Sequence, residues 1–447
     1  MNKNFKFITG VLSILLCFTA IAFGQNTSGS IEGTISDPNG AVIPNATVMA
    51  KSTGSTAGFN GTVTTNSEGY FQFPQVPIGT YTITATSTNF KTSTRDITVS
   101  LDKSAIANFK LEIGASSVTV DVTSDTTTTI DQADTKIDTN ITKQVFDALP
   151  KGTNFTTLLK TAPNVRPEAL SGGFQVDGAS GSENVFVIDG QEVTNFRTGV
   201  LNSNNNLPFE LLQEVQIKST GFEAEYGGAT GGVINVVTSG GNDSLRGNFA
   251  ISFRPKKLQG DFRNILSTFG TNAAGNFEYF NPNEDGGTDF FPVAQIGGPI
   301  VKGKLWFNAS YAPQIFETTR SIDYFSSNNP ATRSIVETLD YNQTLRQEYA
   351  FVRLDAQPHS KLRLFGSFLW NPLIQKSVLP GINTGLSGSP TPVNVGGQSL
   401  RGPDLLGQQG GRQNANNING QATYTPTSWL VVNFRAGRSF LNERLNS

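Results

Sequence analysis

The sequence predicts a mainly β protein in three parts: an N-terminal β-sandwich, a small α+β unit, and an incomplete antiparallel sheet patterned as transmembrane β-barrel wall. Three observations lead there. Short alternating runs broken by turn residues fill the first hundred positions. A mixed stretch of short helical and strand signals comes next. From Leu245 onward the side chains alternate with period two, and the connections alternate between short and long. Composition agrees: Gly (46) and Phe (32) are abundant, Met (2) is scarce, and the mix favours strands and turns.

The chain opens with a targeting segment over residues 1–24. Lys3 and Lys6 precede an uncharged apolar stretch from Phe7 to Phe23, and Ala22-Phe23-Gly24 offers a cleavage site before Gln25. An uncleaved anchor is the alternative. The single cysteine, Cys17, lies inside this segment and comes after Leu16, where a lipid-anchored protein needs a small residue. The mature part is therefore expected to lack disulfides and to rely on sheet packing. A net charge of −2 with 15% charged residues gives no field for nucleic acid.

Enzyme chemistry finds little to stand on, and no cofactor, metal or catalytic residue is expected. His359 is the only histidine and sits in the turn-like "DAQPHSKLR". "GGPIVKGKLWF" matches a P-loop through Gly303-Lys304, but Leu305 stands where Ser or Thr must reach Mg²⁺. The residues after Lys304 alternate like a strand, so a tight turn is the expectation.

Residues 25–113 carry the sandwich signals, with "DPNG", "NSEG" and "PIG" punctuating strands such as "GYFQFPQV" and "GTYTITATSTNF". Through Gly33, Asp37-Pro38-Asn39-Gly40, Pro44, Ala46, Val48, Gly69-Tyr70-Phe71, Pro77, Gly79 and Tyr81 this unit resembles the carboxypeptidase regulatory-like domain. Residues 114–140 are polar and Thr/Asp-rich, with one alternating island, Val118-Thr119-Val120-Asp121-Val122. They read either as a linker or as a strand offered to a partner by β-augmentation. In residues 141–241, "TKQVFDALP" and "NFTTLLKTAP" suggest short helices ended by proline. "ENVFVIDGQEVTN" suggests a hairpin turning at Asp189-Gly190, and "EVQIKS" a strand. Asp189 with Glu192 is an acidic pair, but Asp-Gly is chiefly a turn device.

Residues 242–447 read as wall. Leu245, Phe249, Ile251 and Phe253 alternate with Arg246, Asn248, Ser252 and Arg254. Val352 and Leu354 alternate with Phe351, Arg353 and Asp355, and Leu364 and Phe368 with Arg363, Phe365 and Ser367. Short links are expected near 299–304, 357–360 and 426–428, and long loops near 255–290, 316–347 and 371–414. About seven strands result, fewer than a closed barrel needs, so more chain is expected after Ser447.

Val187-Ile188-Asp189-Gly190, Glu214-Val215, Glu225-Tyr226-Gly227 and Gly231 to Thr238 resemble the plug domain of TonB-dependent outer-membrane receptors, nearest the Oar-like branch, which also carries the sandwich in front. The resemblance implies a plug over 141–241, marked by Asp189, Gly190, Glu223, Glu225, Tyr226, Gly227, Gly231 and Gly232. It also implies a lumen lined by Arg246, Arg254, Arg353 and Arg363. Glu223 and Glu225 are expected to face arginines such as Arg246 and Arg254 across a polar, solvated seam. Val118–Val122 becomes the candidate TonB box, pulled by the TonB-ExbB-ExbD complex. The implied partners are outer-membrane lipid, that complex and an external solute (siderophore, oligosaccharide or peptide), with the N-terminal domain in the periplasm. The competing reading is a secreted β-rich adhesin or glycan-binding protein.

Overall fold

The computed structural model describes residues 27–53, 56–114, 119–120, 137–149, 152–168, 172–222, 226–268, 277–427 and 430–446. The sandwich packs two sheets face to face. One joins β1 (Ser28–Ser36) to β4, β7 and β8; the other runs β3-β2-β5-β6-β9. The remaining ranges are β2 (Thr47–Ser52), β3 (Asn60–Thr64), β4 (Tyr70–Pro77), β5 (Gly79–Thr86), β6 (Ser93–Val99), β7 (Ser104–Ile106), β8 (Phe109–Lys110) and β9 (Thr119–Val120). Alternation puts Ile31, Ile35, Phe71 and Phe73 of one sheet against Val48, Ala50, Tyr81 and Ile83 of the other. Phe59 meets both Phe73 and Tyr81 edge-on, at 6.4 and 5.8 Å. The turn after β1 closes because Asp37 Oδ1 accepts from the N–H groups of Asn39 and Ala41, both at 2.8 Å.

The central unit holds β10 (Ile137–Thr142), α1 (Lys143–Ala148), β11 (Val165–Pro167), β12 (Phe174–Val176), β13 (Val185–Ile188), β14 (Gln191–Glu192), β15 (Leu212–Thr220) and β16 (Val233–Thr238). Its main sheet runs β10-β15-β16-β13-β14, with β13 and β16 parallel. The hairpin turn is built by Asp189 (φ 49) and Gly190 (φ 78), the paired left-handed geometry of a type I′ turn. The second expected helix is instead two 3₁₀ turns, Phe155–Thr157 and Leu159–Thr161. They bury Phe155 and Leu159 without room for a full α-helix before Pro163. β16 has strands on both sides and is buried along its whole length, which accounts for its run of apolar residues on both faces.

The wall comprises β17 (Arg246–Pro255), β18 (Ile265–Thr268), β19 (Phe277–Phe280), β20 (Thr288–Val301), β21 (Leu305–Tyr311), β22 (Gln314–Phe325), β23 (Ile335–Gln347), β24 (Ala350–His359), β25 (Leu362–Trp370), β26 (Leu373–Lys376), β27 (Val393–Val395), β28 (Gln398–Leu400), α2 (Gly402–Gly407), β29 (Gly410–Thr427) and β30 (Leu430–Asn446). The pairs β18/β19 and β27/β28 are loop hairpins. The rest form one antiparallel sheet in which β21 runs on into β22, β23 into β24, and β25 into β26. The breaks fall at Ala312-Pro313, Glu348-Tyr349 and Asn371-Pro372, where proline supplies no donor at two of the three. Ala312 N–H to Tyr349 O (2.9 Å), Glu348 N–H to Pro372 O (3.0 Å) and Asn371 N–H to Ala415 O (3.0 Å) carry the sheet across this line.

The expected long loop over 316–347 is mostly strand. β22 and β23 pair from Gln314↔Gln347 to Phe325↔Ile335, so only 326–334 form the loop. Two of the expected short links correspond to turns at 302–304 and 360–361: Gly303 (φ 72) closes β20 to β21, the near-P-loop is this turn, and His359 ends β24 rather than lying in the turn after it; the third link falls partly outside the described residues. The sheet is two-faced. Phe249, Ile251, Phe253, Phe290, Ile296, Val352, Leu354, Phe368 and Ile418 are exposed on the outer side. Asp289, Trp306, Asn308, Arg353, Asp355, Asn417, Asn419 and Gln421 are buried on the inner side. Among the described residues no helix is long and apolar enough to cross a membrane.

Candidate functional site

The inner face of the wall closes on the central unit along a seam centred on Arg353. Period two on β24 turns Phe351, Arg353, Asp355 and Gln357 inward together. Across the seam, the left-handed turn at Asp189 aims its carboxylate at the end of β16. Thr238 donates to it from N–H (2.9 Å) and from Oγ1 (2.7 Å). Arg353 Nη1 reaches Asp189 Oδ1 at 3.4 Å and the Thr238 carbonyl and hydroxyl at 3.1 Å each. The same guanidinium clasps Asp355 through Nε (2.9 Å) and Nη2 (3.1 Å) and lies 4.5 Å from the Phe365 ring centre. Arg363 Nη2 then donates to Asp355 Oδ1 (3.0 Å), and its Nη1 to the Gly58 carbonyl of the sandwich (2.8 Å).

Asp189, Arg353, Asp355 and Arg363 thus form a chain of alternating charge that sums to zero and runs from central unit through wall to sandwich. Asp189 and Arg353 are 4% and 6% exposed and Asp355 is fully buried. At that depth each charge is tolerable only because the next one answers it. Nothing in the arrangement is a nucleophile beside a base, and among the described residues no cluster of three His, Cys, Asp or Glu stands ready for a metal.

Toward the other end of the seam the contacts are amides. Asn204 Nδ2 donates to Asn371 O (3.0 Å), Asn371 Nδ2 to Asn204 O (2.7 Å), Asn417 Nδ2 to Asn205 Oδ1 (2.9 Å), and Tyr349 Oη to Asn206 O (2.7 Å). Between the polar patches, Val293, Tyr349, Phe351 and Leu369 of the wall join Phe186, Phe209 and Leu212 in one apolar core. The expectation of a wholly polar, solvated seam is therefore corrected. The apolar stripe exists because not every inward position of β20, β24 and β25 is polar.

The sandwich meets both partners. Its turn after β6 inserts Leu101, whose N–H donates to Glu214 Oε1 (2.9 Å) and whose carbonyl accepts from Asn140 Nδ2 and Gln216 Nε2, each at 3.1 Å. Asp102 pairs with Lys218 at 2.9 Å, and Lys103 with Asp138 at 2.7 Å. Burial pushes the Glu214 carboxyl up to about 7; the Leu101 and Asn140 hydrogen bonds oppose the shift and the Asp138 charge adds to it. Against the wall, Gly58 packs so tightly on the Trp306 ring that an added Cβ would lie 2.1 Å from it. The Asn60 backbone exchanges hydrogen bonds with the Gln357 amide, at 3.2 and 3.0 Å.

The other residues singled out from sequence are spread along the seam and beyond it. Tyr226 is buried with its ring 4.9 Å from the Lys218 ammonium. Gly231 and Gly232 sit where an added Cβ would meet Asn184 Oδ1 at 2.7 Å and Val176 at 2.8 Å, whereas nothing lies within 4 Å of that position at Gly227. Arg254 binds Asp289 at 2.6 Å, and Arg246 is exposed with Nε on Ser244 Oγ at 3.1 Å. Glu223 and Glu225 lie outside the described residues, as do Val118, Asp121 and Val122. Thr119 and Val120 pair in parallel with Ser93 and Thr94 of β6. Sequence reasoning missed Asp355, Gln357, Gly58 and the asparagines at 204–206 as seam residues. The Arg353/Asp355 spacing on one strand face was the available signal for the first of them.

Comparisons with known proteins place these features in a family setting. Residues 30–112 match the carboxypeptidase regulatory-like domain, and residues 130–233 the TonB-dependent receptor plug domain. The TonB-dependent transporter Oar of Myxococcus xanthus is 29% identical over 382 residues, covering 82% of this chain and 33% of Oar. The chain thus spans about a third of that curated relative. Among solved structures, the outer-membrane transporter YddB from Escherichia coli aligns over 67% of this chain and 38% of its own, at 14% identity and TM-score 0.46. The ferric enterobactin receptor PfeA from Pseudomonas aeruginosa aligns over 69% and 41%, at 12% identity and TM-score 0.43.

Proposed function

We propose that this chain is an Oar-like TonB-dependent receptor that serves energy-coupled uptake of an external solute across the outer membrane, with residues 141–241 as the plug. One observation carries the reading beyond kinship: the sheet presents a band of Phe, Ile, Val and Leu on one face, while its other face holds a plug through buried, paired charges. Water on the outer face would leave those side chains exposed over an area few soluble surfaces carry. A secreted adhesin has no use for such a band.

The roles come from position. Outer loops rich in Asn, Gly and Asp capture a polar solute, and the plug gates the lumen. Val118–Val122 is the strand that the TonB-ExbB-ExbD complex pulls, by main-chain pairing. Arg353 and Arg363 belong to the lock that seats the plug, and Arg254 serves the wall through Asp289. No residue performs covalent chemistry; the work comes from the proton gradient across the inner membrane.

Two experiments on the full-length gene product test this. Fractionation should place the protein in the outer membrane, and recovery as a soluble secreted protein would overturn the reading. Deleting residues 116–123 should abolish uptake of the natural solute while leaving cell-surface binding intact. Unchanged uptake would remove the coupling role from that strand.

A further inference from the structure

We infer that the sandwich is the mechanical intermediate between the pulled strand and the plug: load reaches the sandwich first, frees it from the wall, and passes to the plug through the turn at Leu101. This rests on the reading of Val118–Val122 as the pulled strand and adds a role for the sandwich, which that reading leaves without one.

Chain length is the first argument. On the sandwich side, residues 115–118 separate β9 from the last fixed contacts of the sandwich, the bridge of Ile113 to Phe90 and the N–H of Gly114 on Asn89 O. On the plug side, residues 121–136 intervene before β10. Drawn out, those spans reach roughly 13 and 50 Å. A strand pulled at 118–122 therefore goes taut against the sandwich long before it goes taut against the plug. The pairing of Thr119 and Val120 on Ser93 and Thr94 directs the same load into β6.

The contacts supply the second argument. β6 ends at Val99, and the turn after it is the one the plug grips. Leu101 is fully buried there against Ile78 and Val237, both of its backbone polar groups are bonded by plug side chains, and Asp102 and Lys103 add an ion pair each. The wall holds the opposite flank through neutral groups of the sandwich: the Gly58 carbonyl on Arg363, the Asn60 backbone on Gln357, the Thr27 hydroxyl on Gln421 Oε1 (2.9 Å), and Gly58 on the Trp306 ring. Among these only the Gly58 carbonyl meets a charge, whereas the plug side carries two ion pairs, so the wall contacts part more readily. Under load the sandwich leaves the wall and takes the plug with it. Parting also removes the Gly58 carbonyl from Arg363 and opens the end of the charge chain that seats Asp189.

The test uses the full-length protein in cells, with Ser310→Cys as reporter, because Ser310 is buried on the wall face of the seam. In energised cells a membrane-impermeant maleimide is expected to label this cysteine, and collapsing the proton gradient should abolish labelling. Two further variants carry cysteine pairs joined by a short bis-maleimide in resting cells before labelling: N60C with Q357C, from sandwich to wall, and D102C with K218C, from sandwich to plug. The wall bridge should reduce energised labelling to the resting level, while the plug bridge should leave it at the level of the unbridged variant. Equal labelling with and without the wall bridge, loss of labelling with the plug bridge, or failure of either pair to join would each overturn the inference. Deleting 116–123 separates the two readings. If that deletion leaves energised labelling unchanged, the pulled-strand reading itself fails; if it abolishes labelling but the wall bridge does not, only the role of the sandwich falls.

Discussion

At the scale of single residues, the seam depends on charges that cannot be removed one at a time. Arg353 answers both Asp189 and Asp355. In Arg353→Ala the two carboxylates lose their shared partner, and the cost should be about 3–5 kcal/mol, as when one partner of a buried pair is deleted. The expected result is release of the plug from protease protection at a lower urea concentration, and an unchanged midpoint would deny the lock. Glu214 makes a prediction about pH. Its carboxyl is raised from 4.5 to about 7 where it caps Leu101, so the neutral form is favoured in the docked state. The docked state is thus most stable below pH 4.5 and loses that advantage as pH rises through about 7. The loss is on the order of 3 kcal/mol for a shift of this size. Docking of sandwich on plug, monitored by protease access between about pH 5 and 8, should weaken with rising pH, and Glu214→Gln should flatten the profile.

At the scale of elements, the glycines after Tyr226 divide into those the fold needs and those it does not. Gly232→Ala places a methyl group 2.8 Å from Val176 and should cost about 1–3 kcal/mol through forced repacking; Gly227→Ala, with open space around it, should leave stability unchanged. Thermal unfolding of the two variants side by side decides the matter. The elements differ in how readable they were. The sandwich strands, the Asp189-Gly190 turn and the two-faced strands after Leu245 were legible because each has one wet and one dry side, or a turn that only certain residues make. β22 and β23 were not: "FETTRSIDYF" and "VETLDYNQTLR" carry polar residues on both faces, so period two leaves no trace. The seam was half legible. Alternation turned Arg353 inward, but its partner Asp189 is 164 positions away, and only folding brings the two within 3.4 Å. The asparagines at 204–206 bond through amides whose pattern has no period at all.

At the scale of the whole molecule, the sheet has one exposed apolar face and one buried polar face. Leu354 is exposed on the apolar face, which the proposed function turns to lipid; an arginine there should cost about 2–4 kcal/mol near the bilayer midplane, and Leu354→Arg should lower the fraction of protein assembled in the outer membrane. Normal assembly would put that face somewhere other than in lipid. Above the line of breaks at Pro313 and Pro372 the same strands continue with polar residues on both sides, and this asymmetry has a consequence outside transport. β22 adds 12 residues beyond that line, which at the rise of an antiparallel strand carries the tip at 326–334 roughly 40 Å along the strand direction. Arg333 braces the foot of this tip, its guanidinium 4.6 Å from the Phe325 ring and 5.7 Å from the Phe280 ring. An extended hairpin of that length carries the tip around Asn328 to Arg333 well away from the line of breaks, so an antibody raised against this tip should bind intact cells.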